Sequence, residues 1–325
     1  MLIWALTDNR AGNNSQTVGL AQNLSENYQI KEISYNRLAN LPNFLKFNSL
    51  IGISTNLKEG LINAKSPDII ISCGRKLAKI AIFLRKHHKN SFLVQIMNPN
   101  ISFNKFDIII LPNHDKNYQN PNIIRSFGSL TKINHKKLAL EYHKFKDLLG
   151  NIKNPKIALL LGGSSRKKIF TLQTAIKLRK ICQNISNNMN ASLLILDSRR
   201  TDDLILQEFQ NNLECNYKFF KYEFKKPNPY LAILKDADYI IATGDSISIC
   251  SEISSLNKPI YIFSEKEFCS NKHLKFHKNL FDSKYARKLE DNIEVLEKYP
   301  RNILDETKRI SKLIKVQYEK KNNNN

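Results

Sequence analysis

Long apolar runs are missing from this 325-residue chain: none approaches the ~20 residues that a helix needs to cross a bilayer. The sequence therefore does not read as a helical membrane protein. Its start, Met1–Leu6, is too short for a signal peptide and lacks a basic leader, so the expected location is cytoplasmic. Cysteine is scarce and scattered. Cys73, Cys182, Cys215, Cys250 and Cys269 are odd in number and never spaced as CxxC, which argues against a disulfide framework or a zinc site and predicts buried, reduced thiols. No zinc finger, RNA-binding aromatic motif or helix-turn-helix pattern is present, and no carboxylate or histidine set at ligand spacing predicts a metal. His273 and His277 share a helical face but lack a third ligand, and His87-His88 reads as a solvated helix end.

What is abundant is positive charge, +22 in formal terms. Such a field draws phosphate-rich partners, nucleic acid or an anionic membrane surface among them. Lys, Asn and Ile are plentiful throughout, down to the closing Lys320–Asn325. An AT-rich coding sequence accounts for the same composition, and without a nucleic-acid motif that partner class is disfavoured.

Strand-like runs alternate with helical segments, the pattern of parallel α/β architecture. In the first half the expected strands are Leu2–Leu6, Ile30–Ser34, Asp68–Ser72, Phe92–Ile96, Phe106–Leu111 and Ile123–Phe127, with helices at Gln16–Glu26, Lys76–Arg85 and His135–Leu149. Turn signals over Gly150–Pro155 then suggest a domain boundary. A second series follows: Ile157–Leu161, a long helix to about Ile185, Leu193–Leu196, a helix near Asp203–Gln210, Tyr217–Phe220, Tyr239–Ala242, Ser246–Ser255 and Ile260–Phe263. The prediction is two Rossmann-like domains, 1–150 and 151–300, facing across a cleft. A terminal helix and a disordered Asn-rich tail would occupy 301–325.

In such folds ligands bind beyond the carboxyl ends of the strands. Tyr239–Ala242 is a buried-strand run that stops at Gly244, and Asp245 or Ser246 can cap the helix that follows. Glu252 then lies about two turns into that helix, within reach of a ribose diol. Asp245 reads either as a cap or as a ligand for a sugar hydroxyl or cation. A second turn, Gly162-Gly163-Ser164-Ser165-Arg166, offers amides, hydroxyls and charge to a diphosphate. Arg199 and Arg200 follow a strand and could grip phosphate. In the first half, the polar loop containing Arg10, Gly12, Asn13 and Gln16 leaves the first strand, and Arg75 follows Gly74 at the end of another; these form the expected acceptor side. Asp8 and His114 are the general-base candidates, His114 sitting beside Asp115, although a turn histidine near a proline is also a common structural feature.

The segments Trp4–Asp8, Arg10–Asn13, Gln16, Pro67-Asp68, Ser72–Arg75, Pro112–Asp115, Ser198–Thr201, Asn228–Ala232 and Thr243–Glu252 together resemble the Elongated-Mitochondria family, which holds plant mitochondrial-fission factors and many bacterial relatives. The resemblance runs from the first strand to about Arg287. It implies a GT-B-like fold with a nucleotide-sugar donor in the C-terminal domain. The Gly244–Glu252 turn and helix are similar to the donor site of the transferase that adds N-acetylglucosamine to the lipid-linked peptidoglycan precursor, where a helical Glu binds ribose. The expected function is thus binding of a nucleoside-diphosphate sugar as co-substrate, with no other cofactor. Hexosyl or N-acetylhexosaminyl transfer would be to a lipid-linked or envelope acceptor, with the chain peripheral at an anionic membrane. The alternative is a non-catalytic adaptor, because the plant branch recruits a dynamin-like GTPase to a membrane.

Overall fold

The structure is a computed structural model and describes residues 1–35, 52–165, 168–224 and 226–323. It divides into two compact units, Met1–Lys132 with Asp305–Asn325, and Ile133–Leu304.

The first unit is built on a parallel sheet of order β2-β1-β3-β4-β5-β6, comprising β1 (Ile3–Thr7), β2 (Tyr28–Glu32), β3 (Ile69–Cys73), β4 (Phe92–Ile96), β5 (Ile108–Pro112) and β6 (Ile123–Ser126). The four inner strands are buried along their whole length, as a sheet covered on both faces requires. Alternate residues serve opposite faces. Trp4, Leu6, Ile70, Leu93 and Ile109 pack with Leu77, Ala81 and Leu84 of α3 (Gly74–His87). Ile3, Ala5, Ile71, Val94 and Ile110 pack with Leu20, Ala21 and Leu24 of α1 (Ala11–Leu24). A short helix, α2 (Thr55–Ile62), starts at a Ser54 cap that the sequence reading did not single out.

The second unit repeats the plan with the sheet order β12-β11-β10-β7-β8-β9: β7 (Lys156–Leu160), β8 (Ser192–Leu196), β9 (Tyr217–Phe220), β10 (Tyr239–Thr243), β11 (Ile260–Phe263) and the short β12 (Arg287–Lys288). Its helices are α4 (His135–Leu149), α5 (Leu172–Asn188), α6 (Asp203–Asn212), α7 (Tyr230–Asp236), α8 (Ile247–Ser254) and α9 (Asn271–Asp282).

Two segments group differently from the sequence expectation of 1–150, 151–300 and 301–325. Helix α4 packs on α7, and the Lys156 ammonium joins them, donating to the Leu149 carbonyl at 3.2 Å and pairing with Asp236 at 2.8 Å. It therefore sits with the second unit rather than ending the first. The last helix, α10 (Glu306–Asn323), belongs to the first unit, because Ile310 and Ile314 complete the core face formed with α1. Its first turn is stitched in place. Glu306 accepts the Phe127 N–H at 2.7 Å, and the Thr307 hydroxyl accepts from the Thr131 N–H at 2.9 Å. Arg301, expected as the start of that helix, instead lies in the second unit, donating to the carbonyls of Ser254, Leu256, Lys258 and Tyr285; burial lowers its pKa. The helix runs through Asn323, and the last two asparagines of the tail expected to be disordered lie outside the described residues.

Candidate functional site

In the second unit, β10 ends at Thr243 and the turn Gly244–Ser246 starts α8, whose N-cap is Ser246, accepting the Ile249 N–H at 3.3 Å. Asp245 is not the cap. Its carboxylate is buried and accepts the Thr243 hydroxyl at 2.7 Å, the Gly163 N–H at 3.1 Å and an Arg200 Nη at 2.7 Å. The Gly162 N–H donates to Thr243 Oγ1 at 2.8 Å, and the Thr201 hydroxyl donates to the Gly162 carbonyl at 2.7 Å. Thus Gly162, Gly163, Arg200 and Asp245 come together as expected from their strand-end positions, joined by Thr201 and Thr243.

The role expected of the glycine pair needs correcting. Both amides are already bonded inside the protein, so they do not present an open diphosphate cradle. The glycines are required for close approach. A Cβ at Gly162 would lie 1.8 Å from an Asp245 carboxylate oxygen, and one at Gly163 would lie 1.9 Å from the Arg200 carbonyl. The neighbouring hydroxyls are also used locally: Ser164 Oγ accepts the Phe170 N–H, and Ser165 Oγ accepts the Lys168 N–H. Arg166 lies outside the described residues. Arg199 is exposed.

Glu252 is half-buried on α8, and the Tyr230 hydroxyl, from the first residue of α7, donates to its Oε2 at 3.1 Å. Burial, reinforced by the Glu252 charge, raises the Tyr230 pKa well above the phenol range, so the hydroxyl keeps its proton and orients the carboxylate. Gly244 is needed because a Cβ there would lie 2.4 Å from the His277 ring. His277 is buried, shares a 2.8 Å hydrogen bond with the Ser264 hydroxyl, and has its pKa pushed down to about 3 by burial. Burial also drives up the Cys250 thiol, and the Cys269 thiol to about 12, so neither is a nucleophile near neutral pH. Among the described residues no group of three or more His, Cys, Asp or Glu side chains could hold a metal ion.

In the first unit, the loop leaving β1 folds around Asp8, whose side chain is wholly buried. Its carboxylate accepts the Arg10 backbone N–H at 2.9 Å and the Arg10 Nε at 2.9 Å. This bonding raises the Arg10 pKa further. The geometry corrects the assignment of Asp8 as a general base: the carboxylate is inaccessible and held in an ion pair, and its work is to aim Arg10. His114 is half-buried in the turn after β5. Gly12, Asn13 and Gln16 lie in the first two turns of α1. There the Asn13 amide reaches the Cys73 carbonyl at 3.5 Å, while Gln16 is buried and bonds the Gly12 carbonyl at 3.4 Å, which removes it from an acceptor-binding surface. Gly74 has φ +77°, the left-handed region that favours glycine. Arg75 follows it in the first turn of α3, exposed.

Sequence reasoning missed Gln95. It is fully buried between β3 and β4, accepts the Ser72 hydroxyl at 2.6 Å and donates to the carbonyls of Ile96 and Met97 at 2.7 and 3.1 Å. The signal was present as a glutamine inside the apolar run Phe92–Ile96. Thr201, Thr243 and Tyr230 lay inside the segments that carry the family resemblance but were given no role of their own.

Two parallel six-stranded sheets, each with chemistry-bearing turns at its strand ends, define an α/β protein of the GT-B fold class. The chain aligns over 97% of its length with UDP-GlcNAc 2-epimerase from Methanocaldococcus jannaschii, covering all of that structure, at a TM-score of 0.55 and 12% identity. It also aligns over 98% of its length with the Neisseria meningitidis UDP-GlcNAc 2-epimerase bound to UDP-GlcNAc, covering all of it, at 0.51 and 11%. For ADP-heptose LPS heptosyltransferase II of E. coli the figures are 99% of this chain, all of that one, 0.50 and 9%. At such identities the likeness is one of fold. The family model described as mitochondrial fission ELM1 matches residues 11–318, and the chain belongs to that family. An uncharacterized protein of Rickettsia prowazekii (strain Madrid E) is 34% identical over 97% of this chain and 98% of its own length. The mitochondrial fission protein ELM1 of Arabidopsis thaliana is 26% identical over 69% of this chain, which spans 58% of that protein.

Proposed function

We propose that the second unit binds a nucleoside-diphosphate sugar and that the chain transfers its sugar to a hydroxyl of a lipid-linked or envelope acceptor. The observation that supports this most is Glu252. A half-buried carboxylate, two turns into the helix that leaves the central strand β10, is fixed by a phenol that keeps its proton. A carboxylate held in that way accepts both hydroxyls of a ribose diol without first having to be ordered. Phosphate charge would fall to Arg199 and the outward part of Arg200, not to the Gly162 and Gly163 amides. Enzymes of this fold class that carry UDP-GlcNAc or ADP-heptose in their names make a nucleotide sugar the first ligand class to try.

The test is a thermal-shift screen against UDP-, GDP- and ADP-sugars, followed by hydrolysis assays on any hit. The expected outcome is a rise in Tm for the wild type and loss of most of that rise in Glu252→Gln, since stabilisation follows ligand affinity. Equal shifts in the two proteins would refute the ribose contact.

A second reading, a non-catalytic adaptor, is favoured by one feature: the Gly162 and Gly163 amides are bonded to Thr243 and Asp245 within the protein. An adaptor would ignore nucleotide sugars and tolerate both Glu252→Gln and Arg199→Ala.

A further inference from the structure

The first unit holds a cavity of about 330 Å³ at the carboxyl ends of its central strands, within the range of small-ligand sites. Arg10 and Asn13 from the start of α1 line one side, Gly74 and Arg75 from the start of α3 another, with Asn100 and Asp115 among the remaining residues. The rim is built, not incidental. Gln95 and Ser72, both fully buried, lock the ends of β3 and β4, and the Gln95 amide holds the carbonyls on which the rim turns. Beyond it the chain takes left-handed conformations at Met97 (φ +67°) and Asn100 (φ +58°), costly for residues with a Cβ and concentrated where backbone shape serves a ligand. Asn98 supports the second of these by accepting the Asn100 N–H at 2.7 Å.

The donors around this space favour an anion. Asp8 fixes Arg10 through its Nε, Nη2 and backbone N–H, leaving Nη1, which would lie 3.6 Å from a Cβ built at Gly74, to face the cavity. Arg75 stands exposed at the cavity with no ion pair among the described residues. Helix α3 has no acidic residue in its first turn and no side-chain cap, so its positive end adds to the field, whereas at α1 the buried Asp8 already meets the Arg10 N–H. Asp115 limits the charge that can enter and suits a hydroxyl, as does the Asn100 amide.

We propose that this cavity binds a hydroxylated phosphate ester, a sugar phosphate or a glycerophosphate group. Arg75 and Arg10 hold the phosphate, and Asn100 and Asp115 hold the hydroxyls. This deepens the proposed transfer, on which it rests for the role of the bound ester, by naming the chemistry of the ligand on the expected acceptor side; nucleotide binding concerns the second unit and is tested apart from it.

The full-length chain is titrated calorimetrically with glucose 1-phosphate, and separately sedimented with phosphatidylglycerol vesicles, to tell a soluble ester from a lipid headgroup. Binding in the millimolar range or tighter is expected in one arm, weakened about tenfold in Arg75→Ala, as loss of one charge-assisted contact implies, and partly retained in Arg75→Lys. Binding of equal strength in wild type and Arg75→Ala, or no binding in either arm up to about 10 mM ester, overturns the proposal. If circular dichroism shows Arg75→Ala to be unfolded, Arg75→Gln carries the same comparison. Nucleotide-sugar binding is measured on the same wild-type sample. Its absence with ester binding intact would remove the nucleotide reading alone, and the reverse result would remove this one alone.

Discussion

Asp245 ties together three segments of the second unit's strand-end turns, because three donors from three segments end on one buried carboxylate. Asp245→Ala leaves the Gly163 N–H without its acceptor and strips Arg200 of its anchor, which should cost about 2–4 kcal/mol. The reading is the urea midpoint of unfolding. An unchanged midpoint would mean that water replaces the carboxylate at no cost and that the network is not structural. His277 gives a pH signature at the same scale. Its pKa falls from the ordinary imidazole value to about 3 on burial. Between those values the unfolded chain binds a proton that the folded chain refuses, so stability rises with pH through the window and is complete above about 6.5. Replacing it by His277→Gln should flatten the stability profile between roughly pH 4 and 6.5, read from urea midpoints at a series of pH values; an unaltered slope would assign the acid sensitivity elsewhere. The sequence exposed Glu252, Asp245 and Arg200 as strand-end residues because each follows a recognisable apolar run. It could not expose that Asp245 meets residues 163 and 200, since pairings across so many positions have no local signature. Nor could it show that Asp8 spends its charge on Arg10: adjacency on a loop says nothing about where the carboxylate is buried.

The strands were the most legible elements, because an inner strand of a parallel sheet is apolar on both faces and reads as a continuous run; Phe92–Ile96 and Ile260–Phe263 fall where those runs do. The edge strand β2 was placed at Ile30–Ser34 and occupies Tyr28–Glu32, since its half-exposed residues give a weaker pattern. Helices α2 and α7 were not placed, being short, and α9 entered only as the helical face shared by His273 and His277. Pattern alone also could not tell which unit a helix joins. For α10 that choice rests on Ile310 and Ile314, both fully buried beside α1, with Gly19 of α1 so close to the Thr131 carbonyl that a Cβ would lie 2.2 Å from it. Ile310→Ala should therefore destabilise the first unit by about 2–4 kcal/mol. Hydrogen exchange would show the loss at β1, β3 and α1. Loss confined to fraying of α10 itself would mean that the helix is an accessory to the core.

At the scale of the whole molecule, a formal charge of +22 complicates every phosphate ligand, because a basic surface attracts anions with or without a site. Screening separates the two cases. At about 0.5 M salt the Debye length is only several ångströms, so diffuse attraction fades, whereas a guanidinium touching a phosphate in a partly dry pocket is screened far less. No helix among the described residues is long and apolar enough to cross a membrane, and a basic surface of this kind is drawn to an anionic bilayer as it is to any phosphate ligand. The two ligand proposals then predict different maps. Hydrogen exchange with a nucleotide sugar at raised salt should protect α7 and α8 in the second unit, where Tyr230 and Glu252 lie. With glucose 1-phosphate it should protect the starts of α1 and α3 in the first. Protection spread evenly over lysine-rich segments and abolished by salt would assign both ligands to the ion atmosphere, and the charge would then be the whole explanation of their binding.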